Sequence, residues 1–240
     1  MIERCRDAQF DALALTVDTI VSGKRERCLR SGFTTPPRFS ASSLWSYATR
    51  PRWTLDYVFG PKFRLPNLDG HVQEGSGKSV SIQDYFNTML DTNMDWDTAA
   101  RIRQDWGGTF ALKGVMSAAD ARRAVEIGAD AIWISNHGGR QLDGSRAPFD
   151  QLREIVDAVG GEIEIVLDGG VRRGTHALKG LAAGATAASG GRLYLYALAA
   201  AGQEGVERAI EILKEEIERG MRLMGVTSID QLTADRLRWR

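Results

Sequence analysis

The chain has 240 residues, 43% hydrophobic and 26% charged, enough apolar material for one sizeable α/β core or two small ones. Lysine plus arginine equals aspartate plus glutamate at 31 each, so net charge gives no reason to expect nucleic acid or an acidic macromolecule as partner. Cys5 and Cys28 suit neither a disulfide framework nor a thiolate metal site, which points to a reducing, cytoplasmic setting, and no apolar run is long enough for a membrane-spanning helix.

The first eight residues, Met-Ile-Glu-Arg-Cys-Arg-Asp-Ala, read as the end of a helix and lack the apolar core of a signal peptide. Ala12 to Asp18 (Ala-Leu-Ala-Leu-Thr-Val-Asp) is the first predicted strand. Residues 19–108 then interrupt the rhythm and read as a long loop insertion, the kind of connection that is usually functional.

Between Lys24 and Arg64 this segment holds nine basic residues against two acidic ones: Lys24, Arg25, Arg27, Arg30, Arg38, Arg50, Arg52, Lys62 and Arg64 against Glu26 and Asp56. Eight aromatics share the span: Phe33, Phe39, Trp45, Tyr47, Trp53, Tyr57, Phe59 and Phe63. Cations attract anionic head groups and indole or phenol rings favour the lipid boundary, so peripheral membrane contact is one reading. A solvated loop whose aromatics pack on one another is the other. No recognised nucleic-acid motif accompanies the segment.

From residue 109 a β-rich run, a turn and an amphipathic helix alternate, the pattern of βα units around a parallel sheet. The runs are Phe110 to Val115, Ala131 to Asn136, Glu164 to Gly169 and Ala185 to Gly190, which makes five strands with the first. Ser117 and Asp120 are placed to cap one helix and Gly128 to close it. Gly-Ala-Asp-Ala at 128–131 recurs as Gly-Ala-Thr-Ala at 184–187, marking equivalent helix-to-strand joints. Val206, Ile210, Leu213, Ile217, Met221 and Met224 fall on one helical face and are expected in the core.

The chemistry-bearing residues cluster after strands. Ser135-Asn-His-Gly-Gly-Arg-Gln-Leu-Asp143 puts an imidazole, a proton carrier near neutral pH, three residues before an arginine that can hold a carboxylate bidentately. Leu167-Asp-Gly-Gly-Val-Arg-Arg-Gly174 is a glycine-rich turn before a helix, a generic phosphate cradle, and Gly190-Gly-Arg192 offers a second such corner. Loops after the last two strands of a (β/α)8 barrel often bind phosphate together. Lys113, at a strand end, can stabilise negative charge or simply reach solvent.

These motifs resemble the FMN-dependent 2-hydroxy-acid oxidase and dehydrogenase family, and Leu15-Thr-Val-Asp-Thr19, Gly23-Lys-Arg-Glu-Arg27 and Leu112-Lys-Gly114 stand in the order that family has. The resemblance runs over the whole chain and looks closest to bacterial L-lactate dehydrogenases linked to a quinone or cytochrome. It implies an α/β fold that is part of a (β/α)8 TIM barrel, strands 4 to 8, with FMN at the C-terminal mouth; the first three strands have no counterpart here. His137 matches the catalytic base and Asp18 the carboxylate that steadies it, while Arg25 and Arg140 match the pair holding the substrate carboxylate.

Thr16, Lys113 and Ser135 match flavin contacts, and Asp168, Gly170, Arg172, Gly191 and Arg192 match the ribityl and phosphate site. The implied reaction is oxidation of L-lactate or a similar L-2-hydroxy acid by a cytoplasmic homo-oligomer resting peripherally on the inner face of the plasma membrane. The alternative is a non-catalytic FMN- or phosphate-binding remnant that needs another chain to complete the barrel. The chain departs from the family pattern at Ile20, Cys28, His176, Ser189 and Leu193.

Overall fold

The computed structural model describes residues 1–31, 40–61 and 90–239, in two compact units: Met1–Gly23 with Asp91–Arg240, and Lys24–Leu90. The first unit carries five strands, β1 (Ala12–Thr16), β2 (Thr109–Lys113), β3 (Ala131–Ile134), β4 (Glu164–Asp168) and β5 (Ala187–Ser189). All neighbours pair in parallel in the order β1-β2-β3-β4-β5, with helices between them, as the sequence predicts for part of a βα barrel. Every strand ends one or two residues before its predicted run does, the last residues of each run belonging to the loop that follows.

Parallel strands covered on both faces read as continuous apolar runs. Phe110, Ala111 and Leu112 of β2 are buried in succession, whereas β3 and β4 bury alternate residues, Ile132 and Ile134, and Ile165 and Leu167, with the residues between them partly covered. The helices supply the outer layer through Ala121 and Ala124, Leu152, Ile155 and Val159, and Ala177.

The repeated Gly-Ala-Asp/Thr-Ala joints do the same job twice. Gly128 and Gly184 take φ of 74° and 100°, a left-handed turn that a side chain would strain. Two residues later the Asp130 carboxylate accepts the Phe110 N–H at 2.8 Å, and the Thr186 hydroxyl accepts the Ile165 N–H at 3.1 Å. Each joint thus closes a donor that the neighbouring strand leaves open at its start. The Ser117 hydroxyl accepts the Asp120 N–H at 3.0 Å, the cap expected from sequence.

Two expectations are corrected. Residues 19–108 are not loop throughout, since Trp96–Trp106 is a helix of the first unit, capped by the Asp95 carboxylate on the Thr98 N–H at 2.8 Å and closed by Gly107 at φ 70°. It buries only Ala99 and Trp106, a sparse apolar face hidden among charged residues. The closing helix, Arg192–Met224, breaks at Ala201 and Gly202 and buries no residue fully. Of its predicted face, Ile210 and Met224 are exposed, whereas Ile217 and Met221, towards its C-terminal end, pack against the core.

The second unit adds helices Glu26–Arg30, Ala41–Ala48 and Pro51–Phe59. Ser40 and Ser43 form a reciprocal capping box, and Pro51 starts the last helix where a missing N–H is harmless. Tyr47, Trp53 and Tyr57 stack in series at 5.8 and 5.3 Å between centroids. Trp45 and Phe59 by contrast are 72% and 81% exposed. Both readings of the aromatics therefore have residues behind them. Phe33, Arg38, Phe39, Lys62, Phe63, Arg64 and His71 lie outside the described residues.

Candidate active site

Parallel pairing in register brings every strand's C-terminal end to one rim: Thr16 lies beside Lys113, Lys113 beside Trp133, and Asp168 beside Ser189. In such barrels this is the end whose loops build sites. The loop after β3 begins at Ser135, which is fully buried, and turns sharply at His137. His137 has φ of 56°, a left-handed conformation uncommon for a residue with a side chain and one that persists only where surroundings hold it.

Three contacts hold it. His137 Nδ1 lies 2.9 Å from both carboxylate oxygens of Asp18, just beyond β1. The His137 backbone N–H donates to the Ser135 hydroxyl at 3.3 Å, and the Asn136 side chain accepts the Gly139 N–H at 3.0 Å. An ionised carboxylate only accepts, so Nδ1 carries the proton and Nε2 presents a lone pair. Gly114 makes room for the pair: at φ 111°, a Cβ there would meet the Asp18 side chain at 2.8 Å.

A second cluster spans β2, β3 and β4. The Lys113 ammonium pairs with the Asp168 carboxylate and donates to the Ser135 hydroxyl at 3.1 Å, while that hydroxyl donates to Asp168 at 2.8 Å. Charge is balanced within a partly buried set, which removes most of the cost of holding it there.

The third element is the pair of glycine corners. A Cβ at Gly170, where φ is 74°, or at Gly191 would meet nothing within 4 Å, so the backbone there faces open space. Gly191 caps the closing helix, whose first N–H groups point outward. Arg192 reaches from that corner to donate to the Gly138 carbonyl at 2.8 Å, tying the phosphate-type corner to the His137 turn. The open backbone at Gly170 and Gly191, the start of the closing helix and the exposed Arg172 suit a phosphate group.

His137, Asp18, Lys113, Ser135, Asp168 and Arg192 are thus in contact at one rim, with Thr16, Gly170, Arg172 and Gly191 on the same strand ends. Arg140 sits exposed at the end of the His137 turn. Arg25 belongs to the second unit, directly before the Glu26–Arg30 helix.

Three contributors escape sequence reasoning. The Gln141 amide donates to the carbonyls of Asp18 at 2.9 Å and Val21 at 3.1 Å, fastening the β1 loop to the β3 loop across 120 residues. The Glu216 carboxylate accepts the Gly174 N–H at 2.8 Å and pairs with Arg173, which takes that arginine out of the cradle. His176 Nδ1 lies against the cradle backbone, 3.1 Å from the Gly170 carbonyl and 3.3 Å from the Arg172 N–H. Gln141 left a trace as part of the Arg140-Gln-Leu-Asp run and His176 as a departure from the family pattern, and Glu216 left none.

Residues 1–239 match the sequence pattern of the family described as FMN-dependent dehydrogenase. The chain is 39% identical to an L-lactate dehydrogenase of Alcaligenes faecalis over 98% of its own length and 62% of that protein. It is likewise 39% identical to one of Xanthomonas oryzae pv. oryzae, over 98% and 61%. Among solved structures, the monotopic membrane protein (S)-mandelate dehydrogenase superposes with a TM-score of 0.88 at 34% identity, covering 99% of this chain and 62% of the other. A mutant flavocytochrome b2 with pyruvate bound gives 0.72 at 31% identity, over 98% and 48%. The chain therefore spans about three fifths of the length of the curated relatives it matches. With its motifs, sheet and rim geometry all in agreement, the chain belongs to the FMN-dependent dehydrogenase family.

Proposed function

We propose that the rim of this chain binds FMN and serves the oxidation of an L-2-hydroxy acid, L-lactate to pyruvate in the first place. The observation that carries the reading is the Asp18–His137 pair held within reach of the glycine corners by Arg192. The phosphate of FMN would rest on Gly170, Arg172, Gly191 and Arg192, and Asp168 and Ser135 would meet its polar chain. When bound, FMN supplies a two-electron acceptor.

The protein's own residues account for the rest. Asp18 keeps the Nδ1 proton in place, so His137 Nε2 takes one of the two protons the substrate loses, the other passing with the two electrons to the acceptor that FMN would supply, and the hydroxy acid becomes the 2-oxo acid. Arg140 holds the substrate carboxylate, and Lys113 sets positive charge beside the cofactor. The role of Arg25 rests on the Gly23-Lys-Arg-Glu-Arg27 motif alone.

For the acceptor we propose a quinone or cytochrome reached at a membrane surface. The basic stretch with exposed Trp45 and Phe59 supports peripheral attachment of the 19–108 insertion, and no helix among the described residues is long and apolar enough to cross a bilayer. Co-sedimentation with anionic but not neutral vesicles is the expected result; equal binding to both removes the role of the basic residues, and binding to neither removes the attachment.

A second reading is favoured by the unburied outer strands β1 and β5: an FMN- or phosphate-binding part that pairs with another chain, or assembles as a homo-oligomer, before it acts. One experiment separates the two. Anaerobic L-lactate should bleach the flavin absorbance of FMN-loaded protein, and His137→Gln should slow bleaching by about 10²–10⁴-fold while leaving flavin bound. Bound flavin that L-lactate never bleaches favours the second reading. Bleaching at the original rate in the variant removes His137 from its role.

A further inference from the structure

The loop that carries Asp18 has little of the support its neighbours enjoy. The last ladder bond beyond β1 runs from the Val17 N–H to the Lys113 carbonyl at 2.8 Å, and from Asp18 to Val21 the backbone makes no further hydrogen bond to other backbone among the described residues. Burial does not fix the loop either, since Ile20 and Val21 are both exposed. Yet Asp18 keeps both carboxylate oxygens 2.9 Å from His137 Nδ1.

Two contacts with the loop after β3 account for that placement. The Gln141 amide donates to the Asp18 carbonyl at 2.9 Å and to the Val21 carbonyl at 3.1 Å, gripping the segment at both ends. Two residues on, Gly23 lies so close that a Cβ there would run into the Arg140 carbonyl oxygen and stand 2.8 Å from the Gln141 Cα. The gripping side chain belongs to the same turn as the imidazole, four residues after His137.

The other end of the amide shows what the grip is for. Gln141 Oε1 is buried and accepts no hydrogen bond among the described residues. With two carbonyls on one side, only the amide N–H groups can face them, so its neighbours fix its orientation. A buried acceptor without a donor costs stability, so folding alone gives little reason for an amide here over an apolar side chain of similar length. What the amide secures is the place of Asp18.

We propose that Gln141 is a positioning residue: by clasping the Asp18 and Val21 carbonyls it holds the Asp18 carboxylate against the His137 ring. The inference rests on the acid–base reading of the Asp18–His137 pair given above. It adds to that reading a residue that acts through Asp18 and not by contact with the reacting atoms.

Gln141→Met keeps the reach of the side chain and removes the donors together with the buried oxygen. Its melting temperature should stay close to that of the native chain, because an unpaired acceptor leaves the interior along with the two hydrogen bonds. In the isotope-labelled chain without FMN, the His137 Nδ1–H proton should exchange with water about 10-fold faster in the variant, as for a local opening made easier. With FMN bound and L-lactate saturating, bleaching should slow about 10–10²-fold, the scale of a slightly misplaced catalytic group, with little change in the half-saturating L-lactate concentration.

A double variant separates positioning from general support. Because Gln141 acts through Asp18, Gln141→Met added to Asp18→Asn should slow bleaching no further than Asp18→Asn alone. Gln141→Leu, which also lacks donors, takes the place of the methionine variant should that fail to fold. Additive losses, an unchanged His137 exchange rate, or a melting temperature that falls in step with the bleaching rate overturns the proposal. Bound flavin that L-lactate never bleaches in the native chain overturns the acid–base reading and the positioning role with it. Normal bleaching in the native chain with a His137 proton indifferent to Gln141→Met overturns the inference alone.

Discussion

The middle and the margins of the sheet are built from similar residues to different ends. β2, β3 and β4 bury Phe110, Leu112, Ile132, Ile134, Ile165 and Leu167 almost completely, whereas β1 and β5 bury no residue at all, although Leu13 and Leu15 of β1 are as apolar as their neighbours. The difference is one of position. A parallel strand becomes core only when helices and strands cover it on every side. Yet the margins carry half of the site, Asp18 beyond β1 and Gly191 with Arg192 beyond β5. The rim is therefore a rigid centre, Lys113, Ser135 and Asp168, flanked by two functional edges that depend on side-chain links to reach it.

The largest expected effect breaks the centre. Phe110→Ala should cost about 3–5 kcal/mol of unfolding free energy, measured by urea titration, while Leu15→Ala in β1 should cost about 1–2 kcal/mol. Equal costs would mean that β1 is packed as tightly as β2.

A smaller effect sharpens the comparison at the two equivalent joints. Asp130→Ala leaves the Phe110 N–H without its partner and Thr186→Ala does the same for Ile165, each costing about 1–2 kcal/mol. Hydrogen exchange should quicken at Phe110 or Ile165 respectively and spread into that strand. No change at the named amide would show that the joint oxygen is not its acceptor.

The smallest concerns the Trp96–Trp106 helix. The Thr98 backbone N–H, followed by the Thr98 side chain, holds the Asp95 carboxyl below the usual carboxylate range. A lowered folded value stabilises the helix at all pH above the ordinary carboxylate value and loses that contribution as pH falls through the folded one. Melting temperatures of the native chain and Asp95→Ala should thus differ by a small constant amount near neutrality and converge in strong acid. A gap that widens on acidification contradicts the cap.

The sequence was most legible where chemistry repeats locally. Alternating apolar runs, the duplicated Gly-Ala-Asp/Thr-Ala joints and Ser117 announced the strands and their order, and Ser135-Asn-His-Gly-Gly-Arg140 marked the loop that carries the imidazole. The Trp96–Trp106 helix was hidden because aspartates and arginines outnumber its buried residues. The fastening of Asp18 by Gln141, the Gly174–Glu216 bond and the His176 contact depend on loops distant in sequence or on side-chain direction, which no periodicity encodes. The apolar stripe of the closing helix misled for a related reason, since spacing says which residues share a face and nothing of how much is covered.

The central claim is that base and phosphate corner form one site. It is tested most directly by adding FMN to the isotope-labelled chain and following the His137 ring together with the backbone amides of Gly170, Gly191 and Arg192. All four should shift along a single binding curve, and riboflavin should lose the response at the glycine corners while retaining part of it at His137. Shifts confined to the corners with His137 unmoved, or two separate binding curves, would contradict the account.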